Sequence, residues 1–564
     1  CPSFQLDCRG RLEFDGFVQY QLKLKALWDI SVQDIRLLVP YASHQARLMM
    51  GLGFPGGRRP DQFEWKWDVS KYQDCLWMGT ANAGLQFRFK AENYRRPLLN
   101  IYYDFFPLLL PPSWGNEGKG GVQVAEEKKE TVLLTAFSGP RTMLAGEELN
   151  FDFDMYITPF RPVNTDAHWR NRYAHTGGMG CPYFEDLTKV VETGANVLNM
   201  HHASDYNPYI NYPYNDTSFS GLIECAKKAH QNNIRLKIYY TTREITSNMP
   251  ELFAFYSMNG EIIFPGPGND TQTAIHPGGA HPWLRDHLRK NYIPAWLAQL
   301  GAPFNPLDLA VITTPDTRWN NFYLEGLQWL IQKAGIDGIY IDDTALDRVS
   351  LQRARRILDA DGQERLIDFH SWNHYNNMAK FASCANIYME IFPYLDSLWF
   401  GEGFDYQNTS PEYWLTEISG IPFGLTGEML QDGGNPWRGM LYGMTTRQLY
   451  SGDNRPLWKV WDEFGIQGSE MFGYWDSRCP VKTDHPQVLA TAYQKGHKAL
   501  IAIASWAPQD VECHLFFDQN QLPFPEKTTI HAPEIAGFQP IRDFELSQAI
   551  PVNPGKGWLL MVSE

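Results

Sequence analysis

Two adjacent carboxylates, Asp342 and Asp343, end the apolar run Gly335-Ile336-Asp337-Gly338-Ile339-Tyr340-Ile341, and a third, Glu402, ends the run Leu395 to Glu402 (LDSLWFGE). A strand has period two, so Gly338, Tyr340 and Asp342 share one face while Ile339, Ile341 and Asp343 share the other. If the isoleucines pack outward against helices, Asp342 points into the space that the strands enclose. Carboxylates delivered by strand ends to one cavity can serve as a nucleophile or charge stabiliser and as a general acid/base. Cleavage of a glycosidic bond needs that pair: one group meets the anomeric carbon of an oxocarbenium-like transition state, the other protonates the leaving oxygen.

The expected division of labour makes Asp342 the group at the anomeric carbon, Asp343 a positioning residue and Glu402 the acid/base. An alternative for Asp343 is that it caps the following segment while Asp347 and Arg348 pair on the surface. Other strand ends and loops supply groups suited to hold a sugar. His201, His202, Asp205, Asn207, Tyr209 and Asn211 lie in one loop dense in aromatic and hydrogen-bonding side chains. Tyr240 and Arg243, then Tyr340, His370 and Trp372, then Glu428, Trp437 and Arg438 complete the candidate substrate-binding set. No metal or cofactor is expected, because the adjacent His201 and His202 diverge and no third ligand stands at metal-binding spacing.

These groups need a scaffold that brings strand ends together. From about residue 166 the chain alternates helix-like and strand-like segments: Phe184 to Glu192, then Ala195 to His202; Leu222 to Gln231, then Ile234 to Glu244; Phe322 to Ala334, then Ile336 to Asp343. Arg365 to His370, Leu395 to Glu402 and Ile421 to Glu428 follow, with an eighth strand expected near Gly465 to Trp475. That rhythm predicts an α/β fold, a (β/α)8 TIM barrel over 166–484, with Asp342 and Glu402 on its fourth and sixth strands. A doubly wound sheet is the alternative, but no glycine-rich phosphate loop opens it. Residues 1–165 alternate as in Leu12 to Leu24 and Leu149 to Ile157 and predict a β-sandwich, and 485–564 predict a small C-terminal β-domain.

The 564-residue chain is too long for a single core. Its formal charge of −15 argues against a nucleic-acid partner, and no apolar stretch is long enough to insert in a membrane. Aromatic residues make 14% of the chain, which suits sugar platforms and ordinary cores alike. The eight cysteines show no metal-ligand spacing, although Cys1 and Cys8 are near enough in sequence to pair. Sequons at Asn215, Asn269 and Asn408 lean the expected location towards extracellular, lumenal or periplasmic; the chain opens at Cys1 on domain-like sequence, with no signal-peptide pattern.

The layout of β-sandwich, barrel with Asp337-Gly338-Ile339-Tyr340-Ile341-Asp342-Asp343 and C-terminal β-domain resembles the family 123 glycoside hydrolases and related barrels. The runs Asn207-Pro208-Tyr209-Ile210-Asn211-Tyr212-Pro213 and Trp77 to Gln86 (WMGTANAGLQ) add to the likeness. The resemblance implies an Asp-Glu pair at the end of this strand, the Asp orienting the substrate's own acetamido group as nucleophile and the Glu acting as acid. The matching positions are Asp342 and Asp343, the second one methylene shorter than the family's Glu. A more distant likeness to retaining α-galactosidase-type barrels of clan D implies a nucleophile on the fourth strand and an acid/base on the sixth, the positions of Asp342 and Glu402. The expected partner is a galactose- or N-acetylhexosamine-containing glycan. The rival readings are a non-catalytic carbohydrate-binding barrel and a polysaccharide lyase using Tyr240 or His370 as base.

Overall fold

Thr131–Phe137 alternates half-buried and buried residues along its whole length, the signature of a strand with one face in a core. The computed structural model describes residues 2–71, 73–90, 94, 112–128, 130–176, 187–268, 281–343, 346–372, 383–525 and 527–563. They fall into two units: 1–162 with 372–393 and 410–424, and 163–371 with 394–409 and 425–564.

In the first unit Thr131–Phe137 lies in a four-stranded antiparallel sheet with Arg36–Ala42, Gly121–Lys128 and Gln62–Lys66. A second, eight-stranded sheet includes Phe17–Ala26, Asp152–Thr158, Gly84–Lys90 and Cys75–Gly79. Alternate residues of both sheets, among them Val122, Val124, Val132, Leu134, Leu76, Met78, Phe87 and Phe89, form one apolar core. This is the expected β-sandwich. The Leu12 to Leu24 run is not one strand, because residues 13–16 turn between Phe4–Leu12 and Phe17–Ala26.

The second unit carries the barrel strands β1 (Tyr173–Thr176), β2 (Val197–Met200), β3 (Arg235–Tyr239), β4 (Gly338–Asp342), β5 (Leu366–Trp372), β6 (Ser397–Glu402) and β7 (Thr426–Gly427), neighbours in that order. The recorded pairings are all parallel. Asp342 and Glu402 therefore stand on the fourth and sixth strands. Gly338 is needed where it is, since a Cβ there would lie 2.1 Å from the Leu366 carbonyl oxygen of β5.

Two expectations about strands are corrected. Gly465 to Trp475 contains a strand, Glu470–Phe472, but it pairs antiparallel with Val488–Lys495 in the six-stranded C-terminal sheet. The place between β7 and β1 is filled by residues 445–448. Met429 N–H donates to the Thr445 carbonyl (2.8 Å), Gln448 N–H to Tyr173 (2.9 Å), and His175 N–H to Gln448 (3.0 Å). Ile234 to Glu244 is likewise not one strand. β3 ends at Tyr239, and Glu244–Thr246 opens a three-stranded antiparallel insert with Leu307–Ile312 and Pro294–Gln299. The break is fixed by Asn211, whose side-chain oxygen accepts from Thr241 N–H (2.7 Å) and whose Nδ2 donates to the Glu244 carbonyl (2.6 Å).

The barrel interior is charged. Asp368 (β5) pairs with Lys237 (β3) and with Arg447 (2.6 Å), and it accepts from Asn199 (β2, 2.9 Å). Arg447 also donates to Glu428 through Nε (2.8 Å) and Nη2 (2.6 Å), with its guanidinium 4.0 Å from the Trp399 ring. All four charged residues are buried. Such a set holds only if each charge meets its opposite.

Cys8, Cys75, Cys225, Cys479 and Cys513 are free, and Cys1 and Asn269 lie outside the described residues. Asn215 Oδ1 caps the helix Asp216–Gln231 and its Nδ2 is buried, whereas Asn408 is exposed. Among the described residues no helix is long and apolar enough to cross a membrane. Asp368→Asn leaves Lys237 and Arg447 short of a counter-charge. It should lower the stability of the barrel unit by about 3–5 kcal/mol, read as a lower denaturant midpoint in equilibrium unfolding.

Candidate active site

The parallel register sets Asp342 of β4 directly beside His370 of β5 and Tyr340 beside Tyr239 of β3. Asp342, like Tyr340, therefore faces inward, as period two requires. Its Oδ2 accepts from Tyr239 Oη (2.8 Å) and from Arg243 Nη2 (2.8 Å). Oδ1 lies 3.6 Å from His370 Nε2, beyond a hydrogen bond. Burial alone would push this carboxyl up, but Arg243, His370, His201 and the Tyr239 hydroxyl hold it below the usual carboxylate range. Asp342 is an anion fixed through one oxygen.

Asp343 does not continue the strand. Its φ of +52° is left-handed, a conformation that Asp tolerates, and it turns the carboxylate back to within 3.8 Å of Arg243 Nη1. The ideal-strand expectation that Asp342 and Asp343 point to opposite faces fails for that reason. Nor does Asp343 cap the next helix: Asp347 does, accepting from Ser350 N–H (2.7 Å), and Arg348 is buried rather than on the surface.

Arg243 collects a third carboxylate, since its Nε is 2.8 Å from Glu244 Oε2. Glu244 is fully buried with Trp296 Nε1 donating to it (3.3 Å), and burial pushes its carboxyl up to about 7 against the pull of Arg243. On the other side of Asp342, His370 donates through Nδ1 to the Trp399 carbonyl (2.8 Å), and its Nε2 is 3.0 Å from Glu402 Oε2. Burial opposes charge on this imidazole, yet the Glu402 contact, the Asp342 and Glu402 charges and the Trp399 carbonyl raise it above its ordinary value. The side chain of Glu402 is 45% exposed and that of Asp343 is 2% exposed.

The aromatic wall beside this pair is made of neutral rings. His201 stacks between Tyr239 (4.5 Å between centroids) and His202 (4.4 Å), and His202 lies against Trp296 (4.5 Å). Burial lowers His201 to about 4 and His202 further. Asn207 reaches the end of β3, donating to the Tyr239 carbonyl (3.4 Å). Asp205 is exposed in the same loop.

Other candidates are engaged elsewhere. Tyr240 Oη donates to the Tyr323 carbonyl (2.9 Å), on the outer face of β3. Asn211 splices the backbone as described above. Tyr209 Oη accepts from Asn305 N–H (3.4 Å) in the apolar cluster around Ile245 and Tyr292. Glu428 belongs to the buried charge cluster below Asp342, not to the rim. Arg438 donates to the carbonyls of Tyr406, Gln407 and Ser505, and Trp437 stacks on Phe538 (5.1 Å). Trp372, the last residue of β5, groups with the first unit.

Tyr239, Trp296 and His175 were not foreseen. Parity would have found Tyr239, which shares the inner face with Lys237, whereas Leu236, Ile238 and Tyr240 share the outer one. Among the described residues no group of three His, Cys, Asp or Glu side chains is arranged to hold a metal ion.

Residues 164–449 match the TIM-barrel domain of glycoside hydrolase 123, residues 2–159 its third domain and residues 453–563 its C-terminal domain. The chain belongs to glycoside hydrolase family 123. It is a glycoside hydrolase. No curated protein sequence matches it. Among solved structures it is similar to the galactosidase domain of an α-galactosidase–sucrose kinase, at 9% identity and a TM-score of 0.49 over 100% of this chain and 80% of that one. It is also similar to an α-galactosidase of Lactobacillus brevis, at 10% identity and a TM-score of 0.45, over 99% and 80% of the two chains. A maltogenic α-amylase of Thermotoga neapolitana follows at 10% and 0.45, over 70% and 99%. The family assignment rests on the domain matches.

In this family 123 enzyme Arg243 fixes Asp342 and opposes its burial. Arg243→Met should lower kcat/KM by about 10²–10³-fold. Without the guanidinium Asp342 keeps its proton to higher pH, so the acidic limb of the kcat/KM profile should move up. An unmoved limb would show that Arg243 does not tune this carboxyl.

Proposed function

We propose that the chain hydrolyses a neutral galactose- or N-acetylhexosamine-containing glycan with retention of configuration, Asp342 facing the anomeric carbon and Glu402 acting as acid/base. The observation that carries this reading is the single imidazole nitrogen between the two carboxylates. Asp342 Oδ1 and Glu402 Oε2 lie 3.6 and 3.0 Å from His370 Nε2. Their separation cannot exceed the sum of these distances. That bound takes in the ~5–5.5 Å of a retaining pair and stops at the near edge, ~6.5 Å, of the inverting range.

Charge supports a neutral substrate. Asp342, Asp343, Glu244 and Glu402 surround the site, and Arg243 is committed to the first three. A lyase would need a cation for the substrate's own carboxylate, and the hydroxyl of Tyr240 is engaged with the Tyr323 carbonyl.

A second reading of Asp342 has its own support. Two donors on Oδ2 make the carboxylate a weaker nucleophile and leave Oδ1 as an acceptor suited to an amide N–H. In that case the 2-acetamido oxygen attacks the anomeric carbon and Asp342 orients it.

Asp342→Asn should leave the fold intact and abolish turnover on every glycoside; near-native turnover would sink the assignment. Glu402→Gln should cost a poor leaving group about 10²–10⁴-fold and spare activated aryl glycosides. A panel with and without the N-acetyl group separates the two roles of Asp342, since cleavage confined to N-acetylhexosaminides means acetamido participation.

A further inference from the structure

His370 lies between the two carboxylates rather than beside one of them. Its Nδ1–H is fixed on the Trp399 carbonyl at 2.8 Å, so Nε2 is the nitrogen whose proton can come and go. That nitrogen is 3.0 Å from Glu402 Oε2 and 3.6 Å from Asp342 Oδ1. Among the described residues the other titratable groups facing the ring are Tyr340 of β4, its ring 6.1 Å away, His175 of β1 and His201 after β2. Both histidines are kept neutral by burial, so the charge on His370 answers to the two carboxylates.

An acid/base carboxyl must hold a proton near neutral pH, and the usual device is burial. Burial is only partial at Glu402, whose side chain is 45% exposed. We propose that His370 is a positioning residue that stores the acid/base proton for Glu402, an inference that rests on the reading of Glu402 as acid/base. In the resting site the imidazolium Nε2–H donates to the Glu402 carboxylate. Transfer of that proton along the 3.0 Å contact gives a neutral imidazole and a carboxylic acid with no change in net charge.

In the first step Asp342 Oδ1, or the acetamido oxygen that it orients, forms a bond to the anomeric carbon. The electrons of the bond to the leaving oxygen go to that oxygen, which takes the proton from Glu402. The pair is left as neutral imidazole and carboxylate. In the second step a water oxygen bonds to the anomeric carbon, its proton returns to the Glu402–His370 pair, and the bond formed in the first step breaks. One proton is cycled through two side chains.

The test compares His370→Gln and Glu402→Gln with the unaltered enzyme, over pH, on an alkyl glycoside and on a dinitrophenyl glycoside of the same sugar. His370→Gln keeps an N–H donor but cannot cycle a proton. It should lower turnover of the alkyl substrate about 100-fold, leave the activated one within about threefold, and shift the alkaline limb of kcat/KM. Equal loss on both substrates with an unchanged profile would overturn the proposal and make His370 a packing residue. Equal loss on both for Glu402→Gln would instead remove Glu402 as acid/base and the proposal with it. If His370→Gln does not fold, histidine nitrogen NMR of the unaltered enzyme and of Glu402→Gln decides. A His370 Nε2 proton lost at lower pH once Glu402 is neutral supports the storage role, and an unchanged titration overturns it.

Discussion

Lys237, Asp368, Arg447 and Glu428 occupy the inside of the barrel with almost no access to water. An isolated charge there would be prohibitively unfavourable, so each strand's register is constrained by the partner that its inward residue must meet. Asp368 on β5 can satisfy Lys237 on β3 and Arg447 from the closing segment only in one alignment. One inward position further along, the same alignment sets His370 beside Asp342. The layer of Asp342 and His370 inherits its geometry from the ionic layer beneath it.

The upper layer repeats the logic with a different balance. Arg243 meets Asp342, Asp343 and Glu244, and His370 meets Asp342 and Glu402. Two cationic groups thus serve four carboxylates. The excess is relieved in part by burial of Glu244, whose carboxyl is pushed up to about 7 and so is partly neutral at physiological pH. Asp342, with two donors on one oxygen, remains the firm anion. Glu402 is half in solvent, with its Oε2 3.0 Å from His370 Nε2.

The sequence made the inward face of β4 legible because period two is a local property: Tyr340 and Asp342 had to share a side. Asp343 was not legible, because the period holds only while the strand lasts and a left-handed residue ends it. Pairing partners were equally hidden. The apolar run around Met471 and Phe472 is a strand, but nothing local says that its neighbour is Tyr493 of the C-terminal sheet rather than a barrel strand. The segment that does close the ring, residues 445–448, is polar and meets β1 through an isolated bridge between Gln448 and Ala174, so it carries no strand pattern. Trp437 and Arg438 show a further limit. Aromatic and guanidinium groups suit a sugar, and they suit a junction within the chain equally well, where Arg438 binds three carbonyls.

The mismatch between this chain and the family's Asp-Glu pair also has a physical reading. With Asp at 343 the side chain is one methylene shorter, and the backbone turn directs it to Arg243, where it is buried. A group in that position adds to the negative field around Arg243. On the proposed reading the proton comes instead from another strand end, where Glu402 of the sixth strand lies 3.0 Å from His370 Nε2. A shortened residue on the fourth strand and an exposed carboxylate on the sixth are two sides of one arrangement. The barrel supplies several strand ends to a single cavity, so the acid can move between strands while the group at the anomeric carbon stays in place.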